Sequence, residues 1–499
     1  MNKIKSLAGQ TAIYGLSSII GRIFNYLLTP LYTYKFNPEQ YGVYTEMYAY
    51  SAFLLVLLTY GMETAFFRFA KSEGENRVFG TTLISVFSTG VLFSIIGISF
   101  APYISDWLNG SQNIAIPYTT YIRWFVLIIV LDAITSIPFA KLRQDNKPKK
   151  FALVKLMNIG LNIGLNLFFI LYCPYVIKQG EQHFLFSFIN SFYNSEVGIG
   201  YAFIANLMAS VITFLILIPE MLKDKLSFDV ELWKKLIRYA SPLIVVGLAG
   251  IINENADRIL LKEFLPFDTE TKLKMIGIYG ACYKISILMT IFIQAFRYAA
   301  EPFFFSQKDQ KDAKQTYAEV FKFFIIACSI IYMGVMLNLS WLAYFVGPEY
   351  RSGIIIVPIL LLANLFLGAY YNLSVWYKVT DKTRFGAYIG LTGAAITILL
   401  NIILIPVIGY KGSAWATLAC YAAMFGISYF LGKKYYPVNY PVKKSFFYLI
   451  TALGISLFAY FNIPDTSTLT IILKNITLMA FIAVVYYLEI LKPKTIKIS

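Results

Sequence analysis

Runs of eighteen or more predominantly apolar residues recur from one end of this chain to the other, and no other feature constrains its fold as tightly. Each run is long enough to cross the hydrocarbon core of a bilayer as a helix. In that core every backbone amide needs an internal partner, which leaves helices as the natural solution for such segments. The expected spans are 11–34, 44–67, 79–101, 117–138, 150–172, 198–220, 239–262, 276–300, 318–340, 354–378, 384–407, 412–432, 443–461 and 469–491. The chain is 58% hydrophobic and 14% charged over 499 residues, too little charge to solvate a soluble protein of that length. Lys3 and Lys5 precede the run from Thr11 to Tyr34 as they would in a signal peptide. That run is too long for a signal core and has no small-x-small cleavage pattern, so it is expected to be retained as the first helix.

The basic residues set the topology. The net charge is +16, yet 29 of the 43 Lys and Arg fall in alternate loops: the N-terminus, Arg68–Arg77, Lys141–Lys150, Lys223–Arg238, Lys308–Lys322, Lys378–Arg384, Lys433–Lys444 and Lys492–Lys497. Alternation of this kind follows the positive-inside rule and requires an even number of spans with both termini cytoplasmic. Fourteen fits, and a nucleic-acid partner is not indicated. Cys173, Cys282, Cys328 and Cys420 are widely separated, and His183 has no cysteine near it in sequence, so neither a disulfide framework nor a zinc site is expected. Gly-rich phosphate loops and nucleophile elbows are missing as well.

A weak internal repeat gives the architecture. Tyr41-Gly42-Val43-Tyr44 resembles Ile276-Gly277-Ile278-Tyr279 at a shift of 235, and the same shift maps Lys147 onto Lys382, Ala152 onto Ala387 and Asn166-Leu167-Phe168 onto Asn401-Ile402-Ile403. The shift spans six helices, an even number, so the two copies are parallel about an axis along the membrane normal. The fold class expected is an all-α integral membrane protein with two parallel six-helix lobes around a central cleft and two further C-terminal helices. The corresponding segments are 1–222 for helices 1–6, 223–436 for helices 7–12, and 437–499 for helices 13 and 14. The longest segment outside the membrane, Cys173–Val197, is too short for an extracytoplasmic catalytic domain. Transport is expected, and enzymatic activity is not.

Charges inside spans cost about 2.5–3.5 kcal/mol each on insertion scales, so each needs a reason. The cations are Arg22, Arg123, Lys155, Arg258, Lys284 and Arg297; the anions are Glu46, Glu63, Asp132, Glu254 and Asp257, with Glu301 just past helix 8. Arg123 and Lys155 are close enough to helix ends to snorkel, and Glu46 is expected to reach water. Glu254 and Arg258 are spaced to pair at i,i+4. Arg22 falls mid-helix with no carboxylate three or four residues away, which calls for a polar cavity or an anionic ligand. Glu63 and Arg297 are nearly equivalent in the repeat and could form a cytoplasmic-side gate; the alternative is local pairing of Glu63 with Arg68 and Arg297 with Glu301. Tyr26, Tyr60, Tyr279 and Tyr283 are available to stack on sugars.

These motifs carry a family resemblance. Leu7-Ala8-Gly9-Gln10-Thr11-Ala12-Ile13-Tyr14-Gly15 with Gly21-Arg22 resembles the first helix of oligosaccharide flippases. Pro38-Glu39-Gln40-Tyr41-Gly42-Val43-Tyr44 resembles the entry to their second helix, and Ser241-Pro242-Leu243-Ile244 with Ala256-Asp257-Arg258-Ile259-Leu260 resembles their seventh. The chain looks like the polysaccharide branch of the multidrug/oligosaccharidyl-lipid/polysaccharide exporter superfamily over essentially its whole length. The resemblance implies transfer of undecaprenyl-pyrophosphate-linked oligosaccharide, destined for O-antigen, capsule or exopolysaccharide, across the bacterial cytoplasmic membrane. It implies a cationic cleft along helices 1, 2, 7 and 8, matched here by Arg22, Arg258, Lys284 and Arg297. Partners would be the lipid-linked sugar, membrane lipids and the polymerase or export machinery. No cofactor is expected. Directionality would come from downstream consumption or from an H+ or Na+ gradient, with Glu63, Asp132, Glu254 and Asp257 as carriers. The rival within the superfamily is a multidrug or organic-cation antiporter, which would want an acidic cleft.

Overall fold

The computed structural model describes residues 19–109, 116–223, 225–463 and 467–491. Their regular structure is helical throughout, and no strand occurs among them. Most of the first expected span lies outside the described residues; what is described is a helical stretch at 19–26 and α1 (Leu28–Lys35). Twelve further helices are long and apolar enough to cross a membrane, and a bent pair makes thirteen. In order they are α2 (Pro38–Glu73), α3 (Glu75–Asn109), α4 (Tyr118–Gln144), α5 (Pro148–Gln182), α6 (Gly200–Met221), α7 (Val230–Phe264), α8 (the pair Thr269–Ile285 and Ile287–Gln307), α9 (Ala313–Leu337), α10 (Pro348–Val379), α11 (Arg384–Ile408), α12 (Tyr410–Tyr435), α13 (Val442–Asn462) and α14 (Thr468–Leu491).

The helix starts follow local chemistry. The Asn37 side chain accepts from the Gln40 amide at 2.9 Å, with Pro38 at the first helical position. Asp229 caps α7 through the Leu232 amide at 2.8 Å, and Ser467 with Thr470 forms a capping box on α14. α2 is broken where Tyr60 and Gly61 take φ of 30° and 74°. Gly61 bears that left-handed backbone without a side-chain clash, and the break separates Pro38–Thr59 from Met62–Glu73. Most spans run several residues past the apolar windows, because polar end residues continue a helix outside the hydrocarbon at no desolvation cost.

Of the segment expected as the long loop, Cys173–Gln179 continues α5, and Phe186–Asn190 and Ser195–Val197 form short helical pieces. All four cysteines are free and buried.

The 235-residue shift reappears in backbone geometry. Asn146 and Asp381 have φ of 55° and 56°. In the turn after α4 the Lys147 amide donates to the Leu142 carbonyl at 2.9 Å, and after α10 the Lys382 amide donates to the Tyr377 carbonyl at 2.8 Å. Each of these positions is the other's counterpart under the shift, so the sequence repeat is also a repeat of turn design. By packing, the chain divides into two compact units, one of residues 1–281 with 390–416 and one of residues 282–389 with 417–499.

Candidate functional site

In the first unit, helical spacing places Glu254, Arg258 and Lys262 at i, i+4 and i+8 along one face of α7, with Asp257 beside them. The Asp257 carboxylate is held from two sides. It accepts from the Tyr279 hydroxyl at 2.5 Å and from the Arg258 guanidinium at 2.9 Å. Arg258 also donates to the Glu254 backbone carbonyl at 2.8 Å. One turn further on, the Lys262 ammonium lies 3.1 Å from the Glu46 carboxylate of α2, which also accepts from the Tyr118 hydroxyl of α4 at 2.7 Å. Glu46 is fully buried (0% exposed), which corrects the expectation that it reaches water. Lys262, at the end of the expected span and inside α7, which runs to Phe264, neutralises it.

Arg22 is exposed on the helical stretch at 19–26 and has no ion-pair or hydrogen-bond partner among the described residues. The Tyr26 hydroxyl one turn away is under the electrostatic influence of Arg22, Glu254 and Arg258 together. Two of the four expected substrate cations, Arg22 and Arg258, thus act on one locality. The anions near it are differently engaged: Asp257 is bound by Arg258 and Tyr279, while the Glu254 side chain is exposed.

A second polar region lies in the same unit, a cavity of about 500 Å³ bordered by α2, α4, α5 and α6. Asp132 opens into it and accepts from the Ser210 hydroxyl at 2.9 Å. Lys155 also lines it, with its ammonium 4.2 Å from the centre of the Phe139 ring, so it serves this cavity and does not snorkel. Glu63 is paired with Arg143 of α4, and Arg68 is not its partner. Asn158, Asn206 and Thr213 complete the polar wall.

In the second unit, the Arg297 guanidinium stacks 3.9 Å from the centre of the Tyr371 ring. Glu301 takes Lys378 as its ion-pair partner at 2.5 Å, where Arg297 was the local alternative. Lys284 is half-buried. A buried cluster that the sequence reading missed joins three helices: Glu489 of α14 accepts from Lys322 of α9 at 2.7 Å, from Tyr448 of α13 at 2.6 Å, and lies 2.6 Å from Lys444. Its members are 167 and 41 residues apart, beyond any local pattern.

The family model "Polysaccharide biosynthesis protein" matches residues 7–154 and 182–308. Among curated proteins no significant match is found. Among solved structures, the lipid II flippase MurJ in an inward closed conformation superposes with a TM-score of 0.74 at 15% identity, over 94% of this chain and 98% of that one. A multidrug resistance MATE family transporter of the MOP superfamily, inward-facing, gives 0.63 at 15% identity over 83% and 94%. A MATE protein in the straight conformation gives 0.57 at 14% over 86% and 95%. At these identities the likeness is one of fold. With more than half of its residues matched by the family model, and with the many-helix fold of a flippase, the chain belongs to the polysaccharide biosynthesis protein family.

Proposed function

We propose that the protein carries an undecaprenyl-pyrophosphate-linked oligosaccharide, a unit of O-antigen, capsule or exopolysaccharide, from the inner to the outer leaflet of a bacterial cytoplasmic membrane by alternating access. The observation that carries this reading is the charge state around Arg22. Asp257 is paired with Arg258 and accepts from Tyr279, and Glu46 is paired with Lys262 and accepts from Tyr118, while Arg22 is exposed and has no ion-pair or hydrogen-bond partner among the described residues. An exposed guanidinium within a span favours an anion such as pyrophosphate, which it can meet with two parallel hydrogen bonds. The polar head would otherwise lose its hydration without replacement on the way across. Family membership and a fold shared with a lipid II flippase support a lipid-linked substrate. Arg258, Lys284 and Arg297 are the further substrate cations of this reading, and Glu63, Asp132, Glu254 and Asp257 the groups available for H+ or Na+ coupling. The sugar would pass to polymerase or export machinery, and both termini would be cytoplasmic.

The test is ligand competition on purified protein in lipid nanodiscs. Binding of a labelled undecaprenyl-pyrophosphate oligosaccharide should be displaced by undecaprenyl pyrophosphate and unaffected by lipophilic organic cations. Displacement by the cations alone would favour the antiporter.

A further inference from the structure

The cavity bordered by α2, α4, α5 and α6 lies wholly within the first unit and holds about 500 Å³, inside the range of small-molecule sites, roughly 300–1,000 Å³. Four of its polar side chains are each held by one neighbour and keep another polar group free. The Ser210 hydroxyl donates to one oxygen of Asp132 at 2.9 Å, and the other oxygen has no hydrogen-bond partner among the described residues. Asn158 donates to the Thr213 hydroxyl at 2.8 Å, and Asn206 donates to the Tyr48 hydroxyl at 2.7 Å. Both of these amides keep a side-chain carbonyl without a partner among the described residues. The Lys155 ammonium lies 4.2 Å from the centre of the Phe139 ring and makes no hydrogen bond or ion pair among the described residues. Groups already fixed in this way lose little freedom when a ligand binds them.

The charges of the wall cancel. Glu63 is paired with Arg143, and Asp132 and Lys155 bring one charge of each sign. A free cation would meet the Lys155 ammonium and a free anion the Asp132 carboxylate, each a like charge. A ligand rich in hydroxyls satisfies both, since a hydroxyl donates to a carboxylate and accepts from an ammonium. Leu55, Val56 and Phe139 give the same wall an apolar part for the C–H face of a ring. The repeat does not require this polarity. At the shift of 235, Asp132, Lys155 and Asn158 correspond to Leu367, Gly390 and Gly393, so the second copy builds the equivalent helices without these groups. We propose that the cavity is a carbohydrate subsite, in which Asp132, Lys155, Asn158 and Asn206 hydrogen-bond the hydroxyls of an uncharged sugar in the lipid-linked oligosaccharide. The assignment rests on the proposed flippase function.

Binding to the purified protein in lipid nanodiscs is measured with two probes, undecaprenyl pyrophosphate and the same lipid carrying the oligosaccharide unit of the host's surface polysaccharide. Asp132→Leu and Asn206→Leu should each weaken the sugar-bearing probe by about tenfold or more and leave undecaprenyl pyrophosphate unchanged. Asp132→Asn keeps a hydrogen-bonding side chain and should lose less than Asp132→Leu. Equal weakening of both probes would overturn the subsite. So would loss of transport with the sugar affinity untouched, which is what ion coupling through Asp132 predicts. A second measurement needs no lipid. The oligosaccharide cut free of its carrier should slow modification of Ser136→Cys, a position in the cavity wall, by a methanethiosulfonate at least about tenfold, and no protection would overturn the subsite. Protection with neither lipid probe bound by the parent protein would leave the subsite standing and overturn the flippase reading.

Discussion

Glu63 is engaged by Arg143, reaching from α2 to α4 in the same unit. The repeat makes this pair informative. Arg143 and Lys378 are 235 apart, and Lys378 holds Glu301 of α8 in the corresponding way. Each copy of the repeat thus ties its second helix to its fourth through one carboxylate and one cation. Two partners for Glu63 were open from sequence, Arg297 as a gate and Arg68 locally; the Arg297 guanidinium rests on Tyr371.

The two partners separate by charge exchange. Glu63→Arg should lower surface polysaccharide, and adding Arg143→Glu should restore a large part of it. Adding Arg297→Glu instead tests the cytoplasmic-side gate, and recovery there would count for the gate. Because Glu63 and Arg143 are 39% and 33% exposed, stability should move by less than about 1 kcal/mol in the single variants.

Arg22 should dominate substrate affinity. Arg22→Ala is expected to weaken binding of the pyrophosphate lipid by about 1.5–3 kcal/mol, roughly ten- to hundredfold. Arg22→Glu should abolish binding, and Arg22→Lys should retain part, since an ammonium keeps the charge and loses the fork geometry. Surface polysaccharide at normal protein abundance is the cellular readout. A fully active glutamate variant would remove Arg22 from the site.

The Glu46–Lys262 pair should act on stability. Removing one partner leaves a buried charge, so Glu46→Gln or Lys262→Met should destabilise by about 3–5 kcal/mol. Glu46→Leu with Lys262→Met removes both charges and should sit much closer to the parent. Thermal unfolding of the three purified variants in detergent measures this, and additive losses in the double variant would argue against a mutual pair.

Orientation is open to direct labelling. A single cysteine at Asn194 should react with an impermeant maleimide from outside, and one at Lys149 should react only after permeabilisation. The reverse pattern would overturn the orientation expected from the loop charges.

The spans were legible because an apolar run of fixed length is a local signal. The expected orientation likewise rests on a local signal, loop cations counted one loop at a time. Facing is not local. Glu46 and Lys262 are 216 residues apart, and Glu46 taken alone reads as an end-of-helix residue in reach of water. Lys155 looked ready to snorkel because depth along a helix says nothing of the Asp132 cavity beside it. The turn at Asn146 and the turn at Asp381 share a backbone, which accounts for the Lys147–Lys382 match in the repeat. One hint of facing was present: 254, 258 and 262 fall on one stripe of the span expected at 239–262.

The last described turn of α14, Tyr487–Leu491, is π-helical, and Glu489 sits inside it. A π turn accommodates one residue more than an α turn, so every side chain beyond its start is out of phase with the helix before it. From within this turn Glu489 faces Lys322, Lys444 and Tyr448. Deleting a single residue within the turn would let the helix run regularly and swing the carboxylate by about 100° around the axis. The last helix is therefore anchored by its winding as much as by its composition, and relatives that keep the glutamate but lack the extra residue would need another anchor for it.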